Sequence, residues 1–384
     1  MIKKIVLIGA PASGKSTLAK AYAAKHGLTV YDVDEEITRR YGEISALYAR
    51  VGEREFRNIE NESMLDAAKS TAQIVACGGG AVLNKQGVNA LRRAGNIVRL
   101  SAPREILEQR VRHSARPLKD KLDTLLEERE PLYARYADYA INSVDGDATV
   151  ALEKVLGKPR ANRYDVMLCD ADDTVLDYQA AMRHCLTASA RAVGIRCSDE
   201  HLIAQYKIVS DDIWGRLERG VITHDELNRL RFVLLRDLLN ENFDVEKMND
   251  VYFDEMKKTR YLIPGAREFL TAVRARGIKV YVATNAFESI ARERLKALDG
   301  LIDGAFISEA VGYDKPDVRY FQHLHAAIGS PNKSRMLMFG DGLTSDIAGG
   351  KAFGIDTCLF DRSGLKRSDA DYTVATYDEL SDII

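Results

Sequence analysis

Short apolar runs rich in β-branched residues alternate with longer segments of helical periodicity, and this alternation begins twice along the chain. The first series contains KIVLIGA, QIVACGG and NIVRLSA, with helical patterns over residues 14–25 and 103–112. The second series contains YDVMLCD, KVYVATN, GAFISEA, RMLMFGD and DTCLFD. Apolar strands that alternate with helices are typical of a parallel sheet covered on both faces. The sequence therefore predicts the α/β fold class, with two parallel-sheet domains.

The two series are separated by VLGKPRANR, a stretch without an apolar period. A chain of 384 residues is also about two to three times the length of a typical domain. We therefore predict a first domain over residues 1–158 and a second over 164–384. Residues 178–262 have helical periodicity and almost no strand pattern, which predicts a helical cap inserted into the second domain. The core of that domain would comprise residues 164–177 and 263–384.

The charge balance and the cysteines indicate which partners and which compartment to expect. Its 55 basic residues nearly balance its 57 acidic residues, so we expect small-molecule partners and neither nucleic acid nor a membrane. The five cysteines are scattered without a CxxC pair, which favours reduced thiols and a cytoplasmic location. Nowhere do 18 consecutive apolar residues occur, so no transmembrane helix is expected. The oligomeric state is not predicted.

The segment GAPASGKST satisfies the phosphate-loop pattern G-x-x-x-x-G-K-[ST], between an apolar strand and a helix. Its backbone N–H groups would face the phosphates of ATP, Lys15 would reach the β and γ phosphates, and the Ser16 hydroxyl would bind Mg²⁺. The residues predicted to bind ATP in this loop are Gly9, Ala12, Ser13, Gly14, Lys15, Ser16 and Thr17.

Further motifs follow the phosphate loop in a fixed order: YDVDEEI, with Asp32 and Asp34 expected on one face of a strand end, GEREFRNIE, ACGGGAV, RPL and EEREPLYARYAD. Over roughly residues 1–155 this set closely resembles the shikimate kinases. The resemblance implies a P-loop kinase fold, in which helices flank a parallel sheet. It also implies an enzyme that phosphorylates shikimate to shikimate 3-phosphate in aromatic amino acid biosynthesis.

The resemblance also implies residue roles. Asp32 would hold Mg²⁺ through water, Asp34 would orient the attacking hydroxyl and accept its proton, and Arg116 would close onto the phosphate with a lid. Only twelve residues separate Arg116 from Arg129, so the lid is expected to be short. Arg110 would lie near the adenine. The remaining substrate-binding residues would be Arg57, Gly78, Gly79, Gly80 and Arg129. The arginine pair would bind a carboxylate, and an alternative acceptor is another small hydroxy acid.

A second set of motifs begins with DADDT, directly after a buried strand. It continues with VATNAF, GYDKPD and FGDGLTSDIAGG. A carboxylate can attack phosphorus only when the negative charges are offset, which calls for Mg²⁺ and a nearby cation. In this order the four motifs resemble the phosphatases of the haloacid dehalogenase (HAD) superfamily, which implies a Rossmann-like core with an inserted helical cap.

On this resemblance Asp170 would be the nucleophile and Asp172 the acid that protonates the leaving alkoxide and then activates water. Thr284 would contact a phosphate oxygen, Asn285 the substrate, and Lys315 would offset the negative charge. Asp346 would steady Lys315 or the metal shell. The predicted magnesium ligands are Asp170, the Asp172 carbonyl, Asp341 and Asp346.

The insert and the last motif are similar to those of the HAD 5′-nucleotidases, which implies a nucleoside monophosphate as substrate. Aromatic residues of the cap, such as Tyr206 and Trp214, are more often core residues than ligand contacts. The sequence thus predicts a bifunctional enzyme that uses ATP and, in both domains, Mg²⁺. The alternative is that the second domain is only a binding or regulatory module.

Overall fold

A computed structural model describes residues 3–112, 122–158 and 162–384. The chain divides into two units: residues 1–163, with 382–384, form the first, and 164–381 form the second. Among the described helices, none combines the length and apolar character needed to cross a bilayer.

The first unit is built on a parallel sheet in which the described strands follow the order β2-β3-β1-β4-β5. Its strands are β1 (Lys4–Ile8), β2 (Val30–Asp32), β3 (Ile74–Ala76), β4 (Gly95–Ser101) and β5 (Tyr139–Asn142). Its helices are α1 (Lys15–His26), α2 (Val33–Tyr41), α3 (Ile44–Lys69), α4 (Lys85–Ala94), α5 (Arg104–Arg112), α6 (Leu122–Tyr136) and α7 (Ala148–Leu156). In a parallel sheet all carboxyl ends of the strands lie at one edge, where ligands bind.

Side chains of β1 alternate between two hydrophobic clusters. Val6 and Ile8 pack in the cluster that also contains Val33, whereas Leu7 packs in the cluster that contains Leu18. The strand is therefore covered on both faces, which explains why its sequence is continuously apolar rather than alternating.

The second unit contains a parallel sheet with the strand order β11-β10-β9-β6-β7-β8. Its strands are β6 (Val166–Cys169), β7 (Lys279–Thr284), β8 (Gly304–Ile307), β9 (Met336–Gly340), β10 (Asp356–Phe360) and β11 (Tyr372–Val374). Its helices are α8 (Tyr178–Val193), α9 (Asp199–Glu218), α10 (His224–Leu239), α11 (Val245–Lys258), α12 (Ala266–Ala275), α13 (Glu288–Leu295), α14 (Ser308–Val311), α15 (Val318–Ala327), α16 (Ala348–Phe353) and α17 (Tyr377–Ser381). The predicted α/β fold class, with two parallel sheets, is confirmed.

Helices α8 to α11 occupy the region predicted as the cap, and each begins at a residue whose side chain accepts a hydrogen bond from a backbone N–H of the first turn. These capping residues are Asp177, Ser198, Thr223 and Asp244. The cap helices share a hydrophobic cluster in which the rings of Tyr206, Phe232 and Tyr252 are in mutual contact, and Ile290 of α13 joins it from the core. Local capping and this cluster explain how an insert of this length keeps its structure.

Two candidate active sites

The predicted phosphate loop connects β1 to the start of α1. Gly14, the residue before the helix, has φ 100°, and no described side chain caps the helix. The backbone N–H groups at this terminus can therefore be used by an anion. The buried Lys15 folds back over the loop, where its Nζ donates to the carbonyls of Gly9 at 2.9 Å and Ala10 at 2.8 Å.

Asp32 and Asp34 do not share a face of one strand, and that prediction is wrong. The chain passes directly from β2 into α2, so Asp32 ends the strand and Asp34 lies in the first turn of the helix. Oδ1 of Asp32 accepts from the N–H groups of Asp34, at 3.1 Å, and Glu35, at 3.2 Å. Oδ2 of Asp32 is buried and has no hydrogen-bond partner among the described residues. A carboxylate oxygen left in this state suits the predicted contact to a magnesium-bound water.

Arg57 lies in α3 beside a carboxylate that the motifs had not indicated. Its Nη1 is 2.6 Å from Oε2 of Glu60, whose side chain is only 2% exposed. Burial raises the pKa of Glu60, while Arg57 opposes that rise. Asn84 also donates to Glu60 at 2.8 Å. The i, i+3 spacing of Arg57 and Glu60 on one helix is the sequence signal that could have identified this pair.

The three glycines at 78–80 make room for neighbouring site residues. A Cβ at Gly78 would lie 2.6 Å from Oδ1 of Asp34, one at Gly79 2.6 Å from the Pro11 ring, and one at Gly80 2.1 Å from Nη1 of Arg57. The carbonyl of Gly79 accepts from Nη1 of the buried Arg129, at 3.2 Å, and from the Tyr133 hydroxyl, at 2.5 Å. The glycine stretch thus lies against Asp34 and both arginines predicted to bind a substrate acid.

A cavity of about 670 Å³ brings most of the predicted ATP-site residues together with Asp34, although Gly9 does not line it. Arg110 also lines it and donates to the carbonyls of Ala12, at 3.2 Å, and Ser13, at 3.3 Å. Arg116 lies outside the described residues, as does much of the segment predicted as a lid. The lining includes Ala12, Ser13, Gly14, Lys15, Ser16, Thr17, Asp34, Gly79 and Arg110.

In the second unit, Lys315 is buried between two carboxylates from distant parts of the chain. Its Nζ lies 2.7 Å from Oδ1 of Asp170 and 2.6 Å from Oδ1 of Asp346, and it donates to the carbonyl of Ala283 at 2.6 Å. Asp170 follows β6, while Asp346 lies in the π-helical turn Leu343–Ile347 after β9. The carboxyl ends of β6, β7 and β9 therefore place a cation against the predicted nucleophile.

Burial controls the protonation of this cluster. It raises the pKa of Asp170 to about 7, opposed by Lys315 and assisted by Asp346. It also raises the pKa of Asp341 to about 6, with repulsion from Asp170 acting in the same direction. Burial would lower the pKa of Lys315, but Asp170 and Asp346 outweigh it and raise that pKa.

Asp170, Asp341 and Asp346 form a group of oxygen donors suited to Mg²⁺. One oxygen of each lies within 4.8 Å of the others, and carboxylate oxygens are the ligands that Mg²⁺ prefers. Both oxygens of Asp346 already have partners, because Oδ1 contacts Lys315 and Oδ2 accepts from the Gly342 N–H at 2.9 Å. Its geometry therefore suits the predicted role of steadying Lys315.

Asp172 forms an ion pair that the motifs did not indicate. Its Oδ1 lies 2.6 Å from Nη1 of Arg294, which belongs to α13 and is only 5% exposed. The sequence around Arg294 has no feature that marks it for this position. The pair holds the carboxyl of the predicted acid at the boundary between core and cap.

Thr284 and Asn285 follow β7 beside the same cluster. Thr284 is buried, and Asn285 forms a reciprocal pair with the backbone of Lys315. Its Nδ2 donates to the Lys315 carbonyl, and its Oδ1 accepts from the Lys315 N–H, both at 2.8 Å. The amide of Asn285 thus fastens the segment that carries the lysine. Both residues also line a cavity of about 60 Å³ that reaches from Asp172 to the cap helices.

Of the four aspartates in DADDTVLD, two form hydrogen bonds that stabilise the local backbone rather than the candidate site. Asp173 accepts from the side-chain amide of Gln179 at 2.7 Å, and Asp177 caps α8 by accepting from the Ala180 N–H at 2.9 Å. Asp170 and Asp172 remain as the pair that faces the lysine and the cavity.

Two family models match the chain, one for each half. The model of shikimate kinase matches residues 11–174, and that of haloacid dehalogenase-like hydrolase matches residues 164–354. The shikimate kinase of Nitratidesulfovibrio vulgaris is 39% identical over 159 residues, which cover 38% of this chain and 89% of that protein. The pyrimidine 5′-nucleotidase PynA of Streptococcus pneumoniae is 30% identical over 228 residues, which cover 58% of this chain and 95% of that protein.

A solved structure agrees with the assignment of the second half. The magnesium-bound crystal structure of the HAD hydrolase YfnB from Bacillus subtilis aligns with a TM-score of 0.53 and 29% identity, over 57% of this chain and 98% of that one. Both resemblances stated from the motifs are confirmed. The chain therefore belongs to two families, the shikimate kinases through its N-terminal half and the HAD hydrolases through its C-terminal half, and joins a kinase to a phosphatase.

Proposed function

We propose that the first unit transfers the γ-phosphoryl group of ATP to a hydroxyl of shikimate, giving shikimate 3-phosphate and ADP. The observation that carries this proposal is the cavity shared by Lys15 and Asp34, since it places a phosphate-binding cation and a proton acceptor at one site. The hydroxyl oxygen attacks the γ phosphorus, the bond to ADP breaks, and Asp34 accepts the hydroxyl proton.

The other residues of this unit position the two substrates. Lys15 leaves the carbonyls of its loop to offset charge on the phosphates, and Arg57 with Arg129 binds the carboxylate of the acceptor. Ser16 and Asp32 would hold Mg²⁺, which when bound offsets phosphate charge. Glu60, paired with Arg57, orients that guanidinium.

A Lys15→Ala variant tests the kinase. We expect turnover to fall by at least about 10²-fold, because a preorganised charge stabiliser is lost. Shikimate-dependent ADP formation is the measurement. Lys20→Ala is the matched control, since Lys20 lies on the same helix, is exposed and pairs with Glu35 at the surface. ADP formation that stays near normal in Lys15→Ala would refute the proposal.

The arginine pair tests the acceptor. We expect Arg57→Ala and Arg129→Ala each to raise the KM for shikimate about 10- to 100-fold, because each removes a charge-assisted hydrogen bond. The KM for ATP should change much less. An unchanged KM for shikimate in both variants would favour another small hydroxy acid as the acceptor.

For the second unit we propose hydrolysis of a nucleoside monophosphate, in particular a pyrimidine nucleotide, through a phosphorylated Asp170. The observation that carries it is Lys315 held between Asp170 and Asp346, because this cation lets a carboxylate approach an anionic phosphate. The nucleotide substrate is supported by the similarity to PynA, a pyrimidine 5′-nucleotidase.

The reaction would run in two displacements. An oxygen of Asp170 attacks phosphorus, the bond to the nucleoside 5′ oxygen breaks, and Asp172 gives that oxygen a proton. Asp172 then takes a proton from water, which attacks the phosphorus and breaks its bond to Asp170, releasing phosphate. Asp170, Asp341 and the Asp172 carbonyl would hold Mg²⁺, which when bound adds positive charge at the phosphate.

An Asp170→Asn variant tests this mechanism. We expect magnesium-dependent phosphate release from p-nitrophenyl phosphate and from uridine 5′-monophosphate to fall below detection, because an amide is not a nucleophile of this kind. Asp177→Asn is the control, since Asp177 caps α8 and Asn caps equally well. Full activity of Asp170→Asn would contradict the mechanism, and absence of phosphate release from the unmodified protein would favour a binding or regulatory module.

A further inference from the structure

Arg231, in the cap helix α10, is buried, and no carboxylate of a described side chain pairs with it. Its side chain is 3% exposed and lies over the rings of Tyr252, at 5.7 Å, and Phe253, at 5.5 Å. Beside it, the Tyr206 hydroxyl donates to that of Tyr252 at 3.0 Å. Its Nε has no hydrogen-bond partner among the described residues.

The contrast with Arg294 shows what is unusual about Arg231. Both line the cavity of about 60 Å³, but Arg294 is paired with Asp172, whereas no carboxylate among the side chains that the structure describes forms an ion pair with Arg231. Burying a guanidinium that has no carboxylate partner is unfavourable, because ring faces replace only part of its lost hydration. A residue kept at such a cost is a candidate for function rather than for stability.

Arg231 and the candidate catalytic residue Asp172 line the same cavity. Its lining combines Asp172 and Thr284 of the core with aromatic side chains of the cap, including Trp214 and Phe253. A phosphomonoester whose phosphate lies at Asp170 would therefore extend its leaving group between these rings. The rings offer flat apolar faces, and Arg231 supplies hydrogen-bond donors at their edge.

We propose that Arg231 recognises the base of the substrate by donating a hydrogen bond to a ring carbonyl oxygen. The inference rests on the proposed nucleotidase function and names a specificity-determining residue for it. Arginine has only donors, so its partner must be an acceptor, and the flat faces of the aromatic rings favour a planar heterocycle. The cavity holds only a few water molecules, so the cap must move away from the core to admit such a ligand.

The test compares two substrates that differ by the base, uridine 5′-monophosphate and ribose 5-phosphate, in the full chain. For Arg231→Met we expect the ratio of kcat/KM for the nucleotide to that for the sugar phosphate to fall about 10- to 100-fold, as for the loss of one charge-assisted hydrogen bond. Arg229→Met is the matched control, because Arg229 is exposed on the same helix, and should keep the native ratio.

A thermal unfolding measurement separates this role from a structural one. We expect Arg231→Met to keep or raise the Tm, because an apolar side chain of similar length replaces an unpaired buried charge. An unchanged ratio, or an equal loss for both substrates, would overturn the inference. So would a native protein that hydrolyses ribose 5-phosphate but not the nucleotide, although the phosphatase would then stand. No phosphate release from either substrate would instead overturn the proposed function.

Discussion

At the residue scale, the second site depends on one buried cation. Lys315 is 1% exposed and contacts Asp170 and Asp346, so each member compensates the others' burial. Removing one partner of such a group leaves uncompensated charge in the interior, which costs far more than losing a surface ion pair.

Lys315→Met should therefore impair both stability and activity. We expect the free energy of unfolding of the second unit to drop by about 3–5 kcal/mol and phosphate release to be lost. Urea unfolding and a phosphate assay measure the two effects. Lys279→Met, which removes a surface ion pair with Asp303, should change the free energy of unfolding by less than about 1 kcal/mol. Equal effects of the two changes would contradict this account.

The raised pKa values predict how the metal-free second unit responds to pH. The pKa values of Asp170 and Asp341 rise from 3.8 to about 7 and about 6, so folding favours their protonated forms. Their contribution to stability is complete below pH 3.8 and is lost as pH rises through 6 to 7. In EDTA we expect the Tm to fall between about pH 4 and 7, and Mg²⁺ to restore it. Asp170→Asn should weaken the pH dependence, whereas a Tm that rises across this window would oppose the prediction.

At the element scale, the close packing of β9 against the π-helical turn Leu343–Ile347 positions Asp346. A Cβ at Gly340, the last residue of β9, would lie 2.2 Å from Oδ2 of Asp346 and 3.0 Å from Cβ of Asp170. Asp346 and Asp170 are both buried, so neither side chain can shift without displacing Lys315, which lies between them. Only glycine at position 340 therefore leaves room for Asp170 and Asp346 to contact Lys315 together.

Gly340→Ala should consequently reduce phosphate release by at least about 10²-fold, since misplacement of a catalytic group by 1 Å can cost that much. Phosphate assays measure the loss. Gly157→Ala is a control in which the added Cβ meets nothing closer than 3.7 Å, and it should retain native activity. Native activity in Gly340→Ala would mean that Asp346 tolerates displacement.

The motifs could indicate much of each candidate site because strand ends and loops are set by local sequence. The phosphate loop connects a strand to a helix, and Asp170, the proposed nucleophile, follows a buried strand, as the flanking sequence indicated. Glu60, Arg294 and Arg231 were not predicted. Arginine and glutamate usually lie on the surface, and only packing shows which of them are buried.

At the scale of the whole molecule, each unit has its own parallel sheet and its own hydrophobic clusters. The described lining of the kinase cavity comes from residues 11–149, and that of the phosphatase cavity from residues 171–295. Separate cores are the condition for separate folding units.

Calorimetry should accordingly resolve two unfolding transitions. We expect ADP to raise the Tm of only one transition, because a ligand stabilises only the unit that binds it. Lys315→Met should lower only the other. A single transition that ADP shifts as a whole would show that the units unfold together.

Neighbouring residues along the chain were enough to indicate two parallel sheets, a phosphate loop and an aspartate after β6 as the candidate nucleophile, because strand patterns and loop geometry depend on local interactions. The contact of Lys315 with Asp170 spans 145 positions, and the cavity between Arg231 and Thr284 is formed by segments from both the cap and the core. Burial, ion pairing and pKa values depend on which distant segments pack together. Long-range packing therefore set the electrostatics of both sites and buried Arg231 in the lining of a cavity.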